Sequence, residues 1–140
     1  NVRPSLWPLQ GRLLSTFGKR IDPFSGEGAF HTGVDLSAAV GTTVKSAADG
    51  VIAVAEFYGG YGRLVVVDHG NGMQTYYAHL SRMNVKAGSL VKRGERIGAV
   101  GSTGRSTGSH LHFEVRMLGV AQNPPHFLEQ GQEFALVKRR

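Results

Sequence analysis

The chain has 140 residues, no cysteine, twenty glycines and a formal charge of +6. Such a length fits one domain able to bury its own core, and the missing cysteines exclude disulfides, thiolate metal sites and a cysteine nucleophile. The basic balance favours polyanionic partners, but its cations are scattered apart from a C-terminal VKRR run, and no stacking-aromatic or phosphate-cradling motif directs them to nucleic acid.

In chain order, the opening NVRPSLWPLQG lacks a charged region followed by an apolar run, so no signal peptide is expected, and no later segment is apolar enough to span a membrane. The chain reads as a mature domain cut from a longer protein. GKRIDPFSGEGAF reads as a long loop leading into FHTGVDL, where His31 and Asp35 stand four positions apart around Gly33. Fully extended, four residues span about 13 Å, whereas two ligands on one zinc each lie about 2.0–2.2 Å from it. The pair can chelate only if the chain bends at Gly33, whose backbone freedom would allow it.

Valine- and isoleucine-rich or alternating runs separated by glycines then predict strands at TVKSAA, GVIAVAEF, RLVVVDH, MQTYYAHL, RIGAV and HLHFEVRML, with almost no helical periodicity. Asn71-Gly72 predicts a tight hairpin between the third and fourth of these. His69 is expected at that turn and exposed, and His79 at the end of the second hairpin strand, on a sheet rim. GSTGRSTGS reads as a second long loop, running into His110. In SHLHFEV, residues two apart share a strand face, so His110 and His112 point to one side while Leu111 and Phe113 point to the other. NPPHFL stops the strand pattern, and His126 within it reads as a surface residue.

Four of the six histidines, His31, His79, His110 and His112, together with Asp35, thus fall at strand ends or beside loops, with ligand types that suit a borderline-soft divalent cation. Five groups exceed what a catalytic zinc takes from a protein, which is typically three ligands with one position left open. The two left over would then handle protons, as imidazoles do with an unperturbed pKa near 6.5. Spacing alone does not say which three bind and which two catalyse.

HTGVDL, YYAHLS and GSHLHFEV, in that order, resemble the motifs of the lysostaphin-type (LytM-type) zinc metallopeptidases that cut peptide bonds in bacterial peptidoglycan. The similarity runs through GTTVKSAADGVIAVAE, GYGRLVVVDHGNGMQTYYAHLS and VKAGSLVKRGERIGAVGSTGRSTGSHLHFEV, covering nearly all of residues 11 to 128. The resemblance implies a mainly β fold: one small, mostly antiparallel domain over 1–140, with a core at about 11–128 and long loops walling a narrow zinc-containing groove. It implies one zinc per chain bound by His31, Asp35 and His112, with His79 and His110 as the catalytic pair. The implied reaction is zinc-dependent hydrolysis of peptidoglycan peptides, as D,D-endopeptidase cleavage of stem-peptide cross-links, with the glycine-rich bridge as runner-up. Such a substrate places the protein in the envelope, periplasmic or extracellular, as an exported monomer whose +6 charge favours anionic wall polymers, with no nucleic-acid partner expected.

Overall fold

The computed structural model describes residues 3–21, 28–104, 106 and 108–128; the VKRR run lies outside the described residues. Among the described residues twelve strands carry the fold: β1 (Arg12–Ser15), β2 (Gly18–Ile21), β3 (Gly28–His31), β4 (Val34–Ser37), β5 (Thr43–Lys45), β6 (Gly50–Phe57), β7 (Arg63–Gly70), β8 (Met73–Met83), β9 (Leu90–Val91), β10 (Arg96–Val100), β11 (His110–Met117) and β12 (Val120–Gln122). All pairings are antiparallel. The main sheet runs β1-β4-β11-β8-β7-β6-β9, while β10 bridges β8 to β5 and β12 pairs with β11. Among the described residues the helical segments are two single 3₁₀ turns, at Gly59–Tyr61 and Pro124–His126.

The six predicted strands are present, and the hairpin β7–β8 turns at Asn71 and Gly72 with φ of 53° and 81°, the positive pair that a two-residue turn between twisted strands requires. The supposed loop before His31 is not simply a loop. Its ends form β2 and β3, a separate two-stranded sheet pairing Gly18 with His31, while residues 22–27 lie outside the described residues. The sequence reading also misses β1, β4, β9 and β12, all four residues or fewer, too short to show a period against the base length of a strand.

The two faces of the sheet do different work. On one, Val34 and Leu36 of β4, Leu111, Phe113 and Val115 of β11, Tyr77 of β8 and Val65 and Val67 of β7 are buried in the principal core with Val44, Val91, Ile97 and Val100. On the other, Leu64, Val66 and Ala78 form a smaller cluster against Tyr61 and Tyr76. Strand β7 buries apolar side chains on both faces, which is why RLVVVDH reads as a continuous apolar run instead of an alternating one.

His69 departs from expectation: it is 4% exposed. Strand β7 extends through it, and its place two residues beyond Val67 turns it toward the principal core. There Nδ1 donates to the Asp49 carbonyl at 2.7 Å, leaving Nε2 to accept from the Thr75 hydroxyl at 2.8 Å; that hydroxyl also meets the Tyr77 hydroxyl, which accepts from the Ala47 amide. Burial lowers the pKa of His69 from 6.5, against the opposing Asp49 carbonyl and the carboxylates of Asp68 and Asp49.

An acid-sensitive contribution to stability follows from that shift. Above pH 6.5 His69 is neutral in both the folded and unfolded chain, and its contribution is complete. As pH falls from 6.5 to the lower folded value, only the unfolded chain takes the proton and stability declines. In denaturant unfolding at pH 8, 6.5 and 5, the advantage of the parent over His69→Gln should therefore shrink at the lowest pH. A difference that grows on acidification would contradict it.

Candidate functional site

Asp35 is the centre of the cluster. Strands β4 and β11 pair so that Asp35 lies directly opposite His112, while His112 on its other side faces Ala78 of β8. This places Asp35, His110 and His112 on the sheet face away from the principal core, with Leu111 and Phe113 fully buried beneath them as the alternation predicts. His31 enters from the end of β3. The chain does bend between His31 and Asp35, since β3 stops at His31 and β4 begins at Val34.

The reason for glycine at that bend is different from the expected one. Gly33 is absent from the positive-φ residues, and a Cβ built on it would sit 2.2 Å from the Phe113 carbonyl oxygen and 3.0 Å from its carbon. The glycine is there for close approach of β4 to the β11 backbone, the approach that seats Asp35 against His112.

One oxygen of Asp35 lies 3.2 Å from Nε2 of His31; the other lies 2.9 Å from Nδ1 of His112 and 3.7 Å from Nε2 of His110. Ligand atoms of His31, Asp35 and His112 fall within 4.8 Å of one another, a grouping able to hold a metal ion. Burial opposes charge on Asp35, but hydrogen bonds from His112 and His31 outweigh it and hold the carboxyl well below the usual range. Burial likewise opposes charge on His112, yet its bonds to Asp35 and Glu114 push it up to about 9. The carboxylate of Asp35 thus stands as an anionic centre between two imidazoles, a charge that a cation would also satisfy.

The remaining ring nitrogens are pinned. Nδ1 of His31 donates to the Thr16 carbonyl at 2.8 Å, Nδ1 of His79 to the Thr103 carbonyl at 2.7 Å and Nδ1 of His110 to the Gly108 carbonyl at 2.9 Å. Each of those three rings therefore turns Nε2 toward the site. His112 is reversed: Nε2 is bonded to Glu114 at 2.7 Å and Nδ1 faces Asp35.

His79 is not at a sheet rim. Strand β8 continues four residues past it, and His79 occupies an irregularity in the pairing with a φ of 63°, a left-handed conformation uncommon for a side chain with a Cβ and concentrated at functional positions. Its ring lies 4.9 Å from that of His110, centroid to centroid. Burial lowers its pKa below the ordinary imidazole value; the Thr103 carbonyl opposes this and the neighbouring His110 and His112 add to it. That direction favours the neutral form of the ring. All five predicted site residues come together along a groove of about 590 Å³, walled by Gly60 and Tyr61 on one side and by Ser106 of the GSTGRSTGS loop on another. His126 stands apart and exposed, as expected.

Sequence reasoning missed Thr103, Tyr61 and Glu114. The hydroxyl of Thr103 donates to the Leu80 carbonyl and accepts from the Arg63 amide, which fixes the carbonyl that orients His79. Glu114 is fully buried and bonded to Thr32, Tyr61, His112 and Arg116. Burial opposes its charge, but hydrogen bonds from His112 and Thr32, the charge of His112 and a hydrogen bond from Arg116 bring its pKa down to about 2; burial and Glu114 push Tyr61 up to about 12. A signal for Glu114 was present, because the period of two that aligns His110 with His112 continues to Glu114 and Arg116.

The pattern of peptidase family M23 matches residues 29–124. Among relatives, the chain is 47% identical over 124 residues to the DD-carboxypeptidase/endopeptidase Mpg of Neisseria meningitidis, covering 89% of this chain and 28% of that protein. Little more than a quarter of that relative's length is therefore represented. Among solved structures, a zinc-containing peptidase from Vibrio cholerae superimposes with a TM-score of 0.83 at 36% identity, over 87% of this chain and 39% of that one. The catalytic domain of the antimicrobial peptidase lysostaphin from Staphylococcus simulans gives a TM-score of 0.74 at 34% identity, over 83% of this chain and 90% of that domain. The mostly antiparallel fold is the one these neighbours share.

Proposed function

The chain belongs to peptidase family M23, and from that premise we propose that it is a zinc metalloendopeptidase of bacterial peptidoglycan that cleaves stem-peptide cross-links as a D,D-endopeptidase. The observation that carries this reading is the convergence of His31, Asp35 and His112 within 4.8 Å, beside two more imidazoles whose Nδ1 atoms are occupied by main-chain carbonyls. Two nitrogens and one carboxylate oxygen are a donor set that suits zinc, three protein ligands being the number that leaves a catalytic position open. His31 through Nε2, Asp35 through its carboxylate and His112 through Nδ1 would hold the ion. Zinc held there supplies Lewis acidity toward a peptide carbonyl and toward water.

The chain's own groups do the rest. With Nδ1–H fixed on a carbonyl, a neutral His79 or His110 offers a lone pair at Nε2 and takes a proton; once protonated, it offers Nε2–H to an oxyanion or a departing amine. Neither ring can turn away without breaking its carbonyl bond, so the proton is handled at one fixed atom on each. The shallow groove admits an extended peptide. Action on peptidoglycan places the protein in the cell envelope after export, and the +6 charge favours retention on anionic wall polymers.

Digesting defined cross-linked muropeptides and identifying the fragments by mass tests the reading. Monomeric stem peptides should appear with zinc and vanish with a strong chelator. Release of fragments cut within a glycine bridge would move the assignment to that bond, and a folded protein that neither takes up zinc nor cuts either substrate would end it.

A further inference from the structure

Glu114 takes no part in the proton transfers above, yet it is the most heavily bonded side chain of the groove. Its Oε2 accepts from the Thr32 hydroxyl at 2.7 Å, the Tyr61 hydroxyl at 3.1 Å and Nε2 of His112 at 2.7 Å. Its Oε1 accepts from Nε and Nη2 of Arg116, each at 2.7 Å. Arg116 also reaches the Tyr61 hydroxyl at 3.2 Å and lies over the Tyr76 ring. A fully buried carboxylate with a guanidinium on one oxygen and three donors on the other has only lone pairs to offer.

That arrangement dictates which nitrogen of His112 is available. Facing the buried carboxylate, Nε2 keeps its proton, and Nδ1, which shares its own proton with Asp35 at 2.9 Å, is the nitrogen that gives its lone pair when a cation takes that proton's place. His31 is oriented by a main-chain carbonyl, which no side-chain substitution removes. His112 depends on a side chain alone. We infer that Glu114 is a positioning residue that commits His112 to bind metal through Nδ1, and that Arg116, Thr32 and Tyr61 hold the carboxylate in place for it. The inference rests on the zinc reading above.

Glutamine at this position keeps the shape and inverts part of the logic. If its amide nitrogen faces His112, Nε2 must become an acceptor, which moves the ring proton to Nδ1 and occupies the ligand atom. If the nitrogen faces Arg116 instead, two donors oppose each other in a buried site, a costly arrangement. The measurement is the zinc dissociation constant by competition with a chromophoric chelator, beside thermal unfolding of the metal-free proteins. Glu114→Gln should bind zinc about 10–100-fold more weakly, as expected when the partner of a ligating histidine is lost. Arg116→Lys keeps a cation beside Oε1 and leaves the Thr32 and Tyr61 bonds that hold Oε2 on His112, so it should lower the melting temperature of the metal-free protein while zinc affinity stays near that of the parent. A role confined to holding the fold together would instead lower the melting temperature of Glu114→Gln and leave its zinc affinity unaltered.

Glu114→Asp guards against a glutamine variant that does not fold. It keeps a negative charge for Arg116 but draws the carboxylate back from His112 by one methylene, and it should also bind zinc more weakly. A folded Glu114→Gln or Glu114→Asp that binds zinc as tightly as the parent overturns the inference. A parent that binds no zinc overturns the zinc reading itself, whereas a parent with one zinc and unaltered variants overturns the role of Glu114 alone.

Discussion

His112→Ala should leave the purified protein with little or no zinc, and peptidoglycan hydrolysis should fall with it by a hundredfold or more, to the order of the loss expected when oxyanion and proton chemistry lose their centre. Asp35→Ala should do the same, for a reason the distances make plain. Asp35 meets His31 at 3.2 Å and His112 at 2.9 Å, so its removal takes away both a ligand and the negative charge around which two largely buried imidazoles are gathered. A cation brought to that site would then be held by two neutral nitrogens and would lose the anionic oxygen nearest to it. Metal analysis after mild chelator washing, circular dichroism and turnover of cross-linked muropeptides measure the outcome. Either variant retaining one zinc per chain would show that the ion sits elsewhere.

How much of this was legible beforehand depended on the length scale of each signal. The alternation in HLHFEVR was long enough to put Leu111 and Phe113 in the core and His110 and His112 on the opposite face, and the structure has them there. Asn71-Gly72 named its own turn, because few dipeptides accept two positive φ values in succession. What escaped was non-local. The reason for Gly33 lies in the Phe113 carbonyl eighty positions downstream, so the sequence suggested a flexible hinge where the fold needed an absent Cβ. Strand β4 is four residues long and carries no period of its own; it is a strand because β11 and β1 flank it.

The two histidines misplaced by sequence failed for opposite reasons. His69 sits beside an evident turn, and turn residues are usually solvated, but the alternation of β7 carries one residue further than the turn signal suggested and buries the ring against Asp49 and Thr75. The sequence sets His79 at the end of the second hairpin strand, MQTYYAHL, on a sheet rim. In fact the strand runs on to Met83, and the left-handed residue interrupts it from within. Ordinary alternation after Ala78 would turn residue 79 to the face of the principal core; the irregularity instead brings the imidazole to the same groove as His110.

That irregularity supplies the second large expectation, a separation of catalysis from metal binding. His110→Ala and His79→Ala should each keep zinc near one per chain, since neither belongs to the close grouping of His31, Asp35 and His112, and each should lose about a hundredfold or more in hydrolysis. His110 lies 3.7 Å from Asp35, beyond hydrogen-bond reach, so its loss leaves the two close contacts of that carboxylate intact. For His79 the anchor likewise lies outside that grouping: Nδ1 bonds to the Thr103 carbonyl, in the same GSTGRSTGS loop whose Gly108 carbonyl holds His110. Alanine there removes only the ring, whereas Thr103→Val keeps it and takes away the hydroxyl that fixes the carbonyl through Leu80 and Arg63. Thr103→Val should accordingly lose a smaller part of the same activity, with zinc again retained. If the two imidazoles act on one proton path, the double variant His79→Ala/His110→Ala should be little worse than either single one, because groups that work as a unit are not additive. Zinc content measured beside muropeptide turnover for these four proteins and His112→Ala decides it: a His110→Ala protein that sheds its metal while His112→Ala keeps it would exchange the roles of the two histidines on β11.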